Sequence, residues 1–349
     1  MPKYHPLKVV ELDHLTDRAV VITFGVPEAL QSDFVYDAGQ YITLEASLED
    51  ETVRRPYSIC SAPNENRLQV GVKQIPNGQF STYAKKALNV GDVLNVASPE
   101  GRFVYRPSGV PEVITAFAAG SGITPIMAIA KTVLSAHPDN QFTLVYSNKS
   151  VEDTLFYEEI NTLEKTYAQR FKVIRIYSQA QVPNSLFGRI DASVVRQYKQ
   201  DATAIAQQYF LCGPEPMIHA VTEALEQEGV PKDAIKYELF SASTTTQEET
   251  SFGSENAGKS VELICDEVHH RLENIHDKII LDAALQEKID VPYSCQGGVC
   301  SSCIARVKEG EAAMDTNQIL TDSEVAEGLI LTCQARALTP RLVVDFDDV

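Results

Sequence analysis

Three cysteines fall within nine residues, as Cys295-x4-Cys300-x2-Cys303, and a fourth, Cys333, follows 30 positions after Cys303. No other feature restricts the fold as strongly, because four thiolates must converge whatever the rest of the chain does. The spacing is that of the ligands to a 2Fe-2S cluster. Three ligands then come from one tight loop and one from a separate segment. Gly297 and Gly298 predict φ > 0 conformations in that loop and leave backbone N–H groups open towards the cluster sulfurs. Ser294, Ser301 and Ser302 predict a small, polar rim. Two other readings compete. A structural zinc site usually pairs its ligands as two Cys-x2-Cys arms, and only Cys300 and Cys303 have that spacing. A disulfide framework belongs to a secreted chain, and the residues after Met1 show no apolar stretch behind their charges.

From Ser260 to Val349 the sequence resembles a plant-type ferredoxin domain. The match includes Pro292-Tyr293-Ser294 before the first ligand and Leu331-Thr332-Cys333-Gln334 around the last. The resemblance implies an α+β, β-grasp fold. Val261–Cys265 and His269–Ile275 read as its hairpin, Ile280–Glu287 as a helix leading to the loop, and Ile304–Val307 and Leu342–Phe346 as further strands. His269 and His270 tempt a metal reading, but adjacent strand residues point to opposite faces.

A chain of 349 residues predicts two or three domains. Its formal net charge of −18 argues against nucleic acid as a partner. From Glu255 to Val349 there are 18 acidic and 8 basic residues, a net of −10, which leaves −8 for the first 254 residues. The last quarter is the more acidic per residue, which suits a solvated surface and also a docking face for a basic redox partner. No apolar run is long enough to span a bilayer. A cytoplasmic protein without a membrane partner is expected, with Cys60, Cys212 and Cys265 as free thiols.

Residues 1–107 read as an all-β domain, with short β-rich runs separated by turn residues as in a barrel. Arg54-Arg55-Pro56-Tyr57-Ser58 places cations, an aromatic and a hydroxyl on one strand. Alternation puts Arg55 and Tyr57 on one face, Pro56 and Ser58 on the other. Gly78-Gln79-Phe80-Ser81 opens a short helix whose N-terminal N–H groups suit a phosphate. Taken singly, Tyr57 reads more readily as a packed β residue and Gly78 as a plain turn.

Residues 108–240 alternate strands and helices, the rhythm of an α/β, doubly wound parallel sheet. Val113–Ala119 is a buried-strand run that ends in Gly120-Ser121-Gly122-Ile123-Thr124-Pro125 and continues as an apolar helix. About 90 residues later, strand Gln208–Cys212 runs into Gly213-Pro214-Glu215-Pro216. Both turns fall at carboxyl ends of strands, where such sheets bind ligands. Cys212 reads alternatively as a core thiol.

Together, Arg-Pro-Tyr-Ser, Gly-x-x-Ser, Gly-Ser-Gly-Ile-Thr-Pro and Cys-Gly-Pro, in this order, resemble the ferredoxin–NADP reductase family. That resemblance implies FAD held by Arg55, Pro56, Tyr57 and Ser58, with Gly78, Gln79, Phe80 and Ser81 around its phosphates and Ser58 near flavin N5. It implies a nicotinamide dinucleotide held by Gly120, Ser121, Gly122, Thr124, Pro125, Cys212, Gly213 and Pro214. Members close this domain with an acidic residue and an aromatic over the flavin, which Glu238 and Phe240 match. Ser58, Cys212 and Glu238 are thus the expected catalytic residues. Ser178 stands where NADPH-using relatives carry a Ser, but their next residue, an Arg, is here Gln179. Lys149 and Arg175 are the candidate substitutes, so NADPH is favoured over NADH.

Residues 241–258 are polar and aperiodic and read as a flexible linker, followed by the ferredoxin-like domain, 259–349. The whole layout resembles the reductase components of bacterial multicomponent oxygenases. It implies electron transfer from NAD(P)H through FAD and the cluster to a separate di-iron or Rieske oxygenase. The Val343-Val344-Asp345-Phe346-Asp347 ending and the Arg-Arg-x-Tyr-Ser-Ile-Cys string suggest the group serving phenylacetyl-CoA epoxidation in aromatic catabolism. Reductases for steroid hydroxylation share the layout, and a desaturase is another candidate acceptor. A non-catalytic zinc scaffold is the alternative from outside the enzymes.

Overall fold

A computed structural model describes residues 3–48, 51–199, 206–239, 259–275 and 277–349. Phe240 and the linker 241–258 lie outside the described residues. Within Tyr4–Phe240 the described residues form one compact unit, and within Ser241–Val349 another.

The first unit opens with strands β1 (Tyr4–Thr16), β2 (Ala19–Gly25), β3 (Tyr41–Leu48), β4 (Glu51–Ser58), β5 (Leu68–Lys73) and β6 (Val93–Ala97), with helix α1 (Gln79–Lys86) between the last two. They form one antiparallel sheet in the order β4-β3-β6-β1-β2-β5. A bridge between Ile59 and Val70 joins its two ends, so the sheet curls into a barrel. Alternating apolar residues such as Val20, Ile22, Ile42, Leu44, Val70 and Val96 fill the interior and are fully buried. Each such side chain contributes about 1.5–3 kcal/mol by leaving water.

The second half of this unit comprises β7 (Glu112–Ala119), α2 (Ile123–Ala136), β8 (Gln141–Asn148), α3 (Tyr157–Thr166), β9 (Phe171–Tyr177), β10 (Leu186–Phe187), α4 (Ala192–Tyr198), β11 (Ala206–Gly213), α5 (Glu215–Gln227) and β12 (Ile235–Leu239). The sheet is wholly parallel, in the order β10-β9-β8-β7-β11-β12. The chain steps outward from β7 to β10, then crosses back to β11 on the other side of β7. The ends of β7 and β11 therefore frame the crevice where ligands bind in such sheets. Helix α2 is buried at ten of its fourteen positions. Its first two turns are almost wholly apolar because they lie between two layers, and its polar residues Lys131, Thr132 and Ser135 come later. Ile114 and Ala116 of the sheet share its core cluster with Ala19, Val21 and Cys60 of the barrel.

The second unit contains β13 (Ser260–Cys265), β14 (Val268–Leu272), α6 (Ile280–Gln286), β15 (Ile304–Glu309), β16 (Ala312–Met314), α7 (Asp322–Ala326), β17 (Leu329–Leu331), β18 (Ala335–Ala337) and β19 (Arg341–Asp345). A five-stranded mixed sheet, β14-β13-β19-β15-β17, carries the buried face of α6, as in a β-grasp fold. The predicted hairpin ends at Leu272, short of Ile275. Strands β10, β16 and β18 and helix α7 have too few residues to show a period, and the sequence does not predict them.

Candidate functional site

In the cleft of the first unit, β4 contributes Ser58 and β12 contributes Glu238. The Ser58 hydroxyl donates to Glu238 Oε2 at 3.2 Å. Glu238 stands level with Cys212 in the β11–β12 ladder. The three expected catalytic side chains are thereby assembled. Burial pushes the Glu238 carboxyl up to about 8, with the Ser58 hydrogen bond working against it. Burial also pushes the fully buried Cys212 thiol well up, and the neighbouring carboxylate adds to this. Around neutral pH, then, this cluster holds a neutral carboxylic acid, a thiol and an alcohol: groups that can pass or orient a proton without a stray charge.

The barrel side presents the flavin motif in register with β3: Arg55 opposite Leu44, Pro56 opposite Thr43, Tyr57 opposite Ile42 and Ser58 opposite Tyr41. Arg54 is occupied by Glu45 at 2.7 Å. Arg55 bonds its own chain, at the Arg54 carbonyl, and has no carboxylate partner among the described residues. An arginine without a carboxylate suits a phosphate. Tyr57 is half-buried, and its ring lies 5.4 Å from that of Phe80, so the aromatic of β4 rests on the first turn of α1. Gly78 is the residue before that helix, and no side chain caps its first turn. The N–H groups there have no intrahelical partner. Gln79 is exposed at this end. Ser81 departs from expectation: its hydroxyl donates to the Gly78 carbonyl and accepts from the Ile75 amide, at 3.3 Å each. It closes the turn, which leaves the backbone to meet a phosphate.

On the nicotinamide side, Gly120–Gly122 forms a single 3-10 turn between β7 and α2. A Cβ on Gly122 would overlap the Cys212 carbonyl. This glycine lets the turn after β7 touch the end of β11 and closes the floor of the crevice. The Ser121 carbonyl takes the Thr124 hydroxyl at 3.0 Å, and the Gly120 carbonyl takes the Tyr146 hydroxyl at 3.0 Å. Pro125 is buried in the first turn of α2, where no N–H is needed. Gly213 packs on Ala119 and Met217, and Pro214 leads into α5. Ser178 donates through its amide to Asn148 at 2.9 Å, at the end of β9. Arg175 does not fill the role of a phosphate-binding cation, because it is held by Glu164 at 2.6 Å and Asn161 at 2.7 Å. The Lys149 ammonium has no hydrogen-bond or ion-pair partner among the described residues.

In the second unit, Cys295, Cys300, Cys303 and Cys333 converge without any disulfide. Hydrogen bonding to Cys300 holds the Cys295 thiol well below the usual thiol range, and hydrogen bonding to Cys333 lowers the Cys303 thiol. Cys300 and Cys333 are pushed up in turn by Cys295. The Gly297 amide donates to Cys295 Sγ at 3.4 Å. Thr332 ties the two segments together, donating its amide at 3.1 Å and its hydroxyl at 3.0 Å to the Cys303 carbonyl. Four thiols with no imidazole or carboxylate among them, and backbone N–H groups aimed at sulfur, fit an iron–sulfur cluster. The loop differs from expectation in two details. Positive φ occurs at Gln296 (56°) and Gly298 (73°), with Gly297 outside that region. Ser294 is buried beneath the loop, 1% exposed, and is no part of the rim. His269 and His270 are apart as expected, with His269 on the surface, paired to Glu262 at 2.7 Å.

The comparisons with known proteins agree with this geometry. Residues 6–105 match the oxidoreductase FAD-binding domain, 117–223 the oxidoreductase NAD-binding domain and 263–338 the 2Fe-2S iron-sulfur cluster binding domain. The last match settles the zinc alternative in favour of iron and sulfur. The chain is 38% identical over 352 residues to a subunit of the 1,2-phenylacetyl-CoA epoxidase of Escherichia coli K12, covering 99% of each. It is 32% identical to the 3-ketosteroid-9-alpha-monooxygenase ferredoxin reductase component of Rhodococcus rhodochrous, covering 93% of this chain and 92% of the relative. The solved structure of a phthalate dioxygenase reductase has the same fold, with a TM-score of 0.64, 23% identity and 98% coverage of both chains. Among the described residues no helix is long and apolar enough to cross a membrane. The chain thus belongs to the family of FAD-, NAD- and 2Fe-2S-binding oxidoreductases that contains these oxygenase reductase components.

Proposed function

We propose that the chain is a cytoplasmic reductase that takes electrons from NADPH and delivers them one at a time to an oxygenase component acting on phenylacetyl-CoA. When bound, FAD accepts a hydride and the 2Fe-2S cluster carries single electrons, so the pair converts a two-electron donor into a one-electron source. In this reading residues 1–107 hold FAD, 108–240 the dinucleotide and 259–349 the cluster, with 241–258 as the tether. Arg55 and the amides following Gly78 neutralise the FAD phosphates, Tyr57 stacks on the ring and Ser58, bonded to Glu238, lies near its N5. Gly120–Gly122 admits the dinucleotide, and Thr124, Pro125, Cys212, Gly213 and Pro214 bound its nicotinamide. Phe240, outside the described residues, is assigned the role of the aromatic over the flavin from the family pattern alone. Ser178 and the unpaired Lys149 receive the 2′-phosphate, which is what favours NADPH. Cys295, Cys300, Cys303 and Cys333 ligate the cluster.

The observation that carries this reading is the coincidence in one chain of the Ser58–Glu238–Cys212 cluster and the four-thiol nest. The phenylacetyl-CoA epoxidase partner rests on the full-length likeness to the Escherichia coli epoxidase component. The steroid and desaturase acceptors rest on more distant likeness or on layout alone. The deciding experiment is an anaerobic visible titration with NADPH and with NADH. Bleaching of both flavin and cluster bands, at lower NADPH than NADH, is the expected result. Bleaching by neither donor overturns the reading. Delivery to the purified epoxidase oxygenase, compared with a steroid hydroxylase, then identifies the acceptor.

A further inference from the structure

We infer that Lys131 is a positioning residue for hydride transfer: its buried ammonium pins the nicotinamide-side helix α2 to the flavin-side turn at Glu65. The inference rests on the reading above, that NADPH meets FAD in the cleft between barrel and parallel sheet.

The position of Lys131 relative to the two motifs is what singles it out. Glu65 lies seven residues beyond Ser58, and Lys131 lies seven residues beyond Thr124. Each is the continuation of one wall of the cleft. Lys131 Nζ reaches Glu65 Oε2 at 3.0 Å and Glu159 Oε1 at 3.1 Å, and its side chain is only 10% exposed. Burial disfavours its charge, but Glu159, Cys60 and Glu65 together more than offset this and leave the ammonium favoured. Glu65 is itself fixed, since Oε2 also accepts from the Ala62 amide at 2.7 Å. One helical turn further along α2, the Ser135 hydroxyl accepts from the Asn64 amide group at 3.2 Å. At the cleft end of the same helix, Thr124 packs so tightly on the barrel that a Cβ on Gly71 would come within 2.7 Å of its methyl. The helix that begins with the nicotinamide turn is therefore held to the barrel at both ends.

The pairing has an internal control. The Glu159 arm stays within the α/β half, because α3 belongs to the same half as α2. The Glu65 arm crosses to the barrel. Tertiary stability alone needs either arm; alignment of the two walls needs the crossing one. A displacement on the order of 1 Å can cost up to about 100-fold in rate.

The test compares Glu65→Gln, Glu159→Gln, Lys131→Met and Lys131→Arg in the full-length, FAD- and cluster-loaded protein, by anaerobic stopped-flow reduction with NADPH. Glutamine keeps an oxygen for the Ala62 amide and loses only the charge. Glu65→Gln and Lys131→Met are expected to lower the saturating rate of flavin reduction by about tenfold or more. The half-saturating NADPH concentration should stay within about threefold, and the long-wavelength NADPH–flavin absorbance should weaken. Lys131→Arg should recover most of the rate, and Glu159→Gln should lose less than about threefold. Amide exchange of residues 62–65, measured before NADPH is added, should quicken in Glu65→Gln and not in Glu159→Gln. Equal effects of the two glutamate variants, or no effect of Glu65→Gln on an active wild type, would overturn the inference. A wild type that NADPH does not reduce would overturn the functional reading instead, with the exchange comparison still deciding the contact.

Discussion

The cysteine nest and the cleft assemble their chemistry in different ways. In the nest, three of four thiols lie within nine residues and the fourth is tied to them through the Cys303 carbonyl. In the cleft, Ser58 and Glu238 are 180 residues apart. They meet only because a barrel packs on a parallel sheet. Metal–ligand bonds can hold the first, whereas the second depends on the shape of the core beneath it. The two should therefore fail independently and under different insults.

The sharpest break is Cys300→Ser. It should abolish the cluster's visible bands and lower delivery to a one-electron acceptor by about 100-fold or more, since even supporting residues of metal sites are worth about 10–100-fold. Reduction of the flavin by NADPH should change by less than about twofold. A comparable fall in flavin reduction would mean that the two sites are not separable. The converse is Gly122→Ala, whose new methyl meets the Cys212 carbonyl. It should destabilise the first unit by about 3 kcal/mol, read as FAD release at lower urea with the cluster absorbance unmoved.

Proton linkage sharpens the contrast further. Glu238 has its folded pKa raised from 4.5 to about 8. Between those values the folded chain keeps a proton that the unfolded chain has released, so stability falls as pH rises through this window. Below it there is no penalty, and above it the penalty is complete. Glu238→Gln does not titrate. Its stability should overtake the wild type progressively between pH 4.5 and about 8 and exceed it by on the order of 5 kcal/mol above that window, measured by urea unfolding. A constant difference across that range would show that the carboxyl is not buried as described. Ser58→Ala removes one hydrogen bond and should slow hydride transfer by about tenfold, or about 1.4 kcal/mol, in stopped-flow reduction. The smallest effect belongs to His269→Ala. It should move stability by less than about 0.5 kcal/mol and leave the cluster spectrum intact.

How far the sequence can be read follows the same division. Ligand spacing is local, so the four cysteines are legible from their numbers alone. The parallel sheet is legible because continuous apolar strands alternate with a largely apolar α2, as a doubly covered element requires. Contacts between segments far apart in sequence are not legible. Nothing marks Glu65 as the partner of Lys131, or Gly71 as the site against which Thr124 packs. The Ser81 hydroxyl reads as a phosphate ligand because its motif borders a helix N-terminus, yet its nearest acceptor and donor are in its own turn. Arg175 reads as a plausible phosphate cation, and only the fold brings Glu164, eleven residues earlier, onto it. Two glycines in a row leave open which of them takes positive φ, and Gln296 adopts it as well.

The bridge between Ile59 and Val70 that closes the barrel has a consequence for self-association. An open six-stranded antiparallel sheet would expose two rows of unpaired N–H and C=O groups, which invite pairing with another chain. Joining the two ends removes that hazard from the barrel. The parallel sheet limits it by making one edge, β10, two residues long. The β-grasp sheet keeps a five-residue edge in β14, and there His269, His270 and Arg271 interrupt the apolar run. The three larger sheets thus each blunt a border by a different route, through closure, brevity or polar side chains, which suits a protein that must meet its redox partner transiently without sticking to copies of itself.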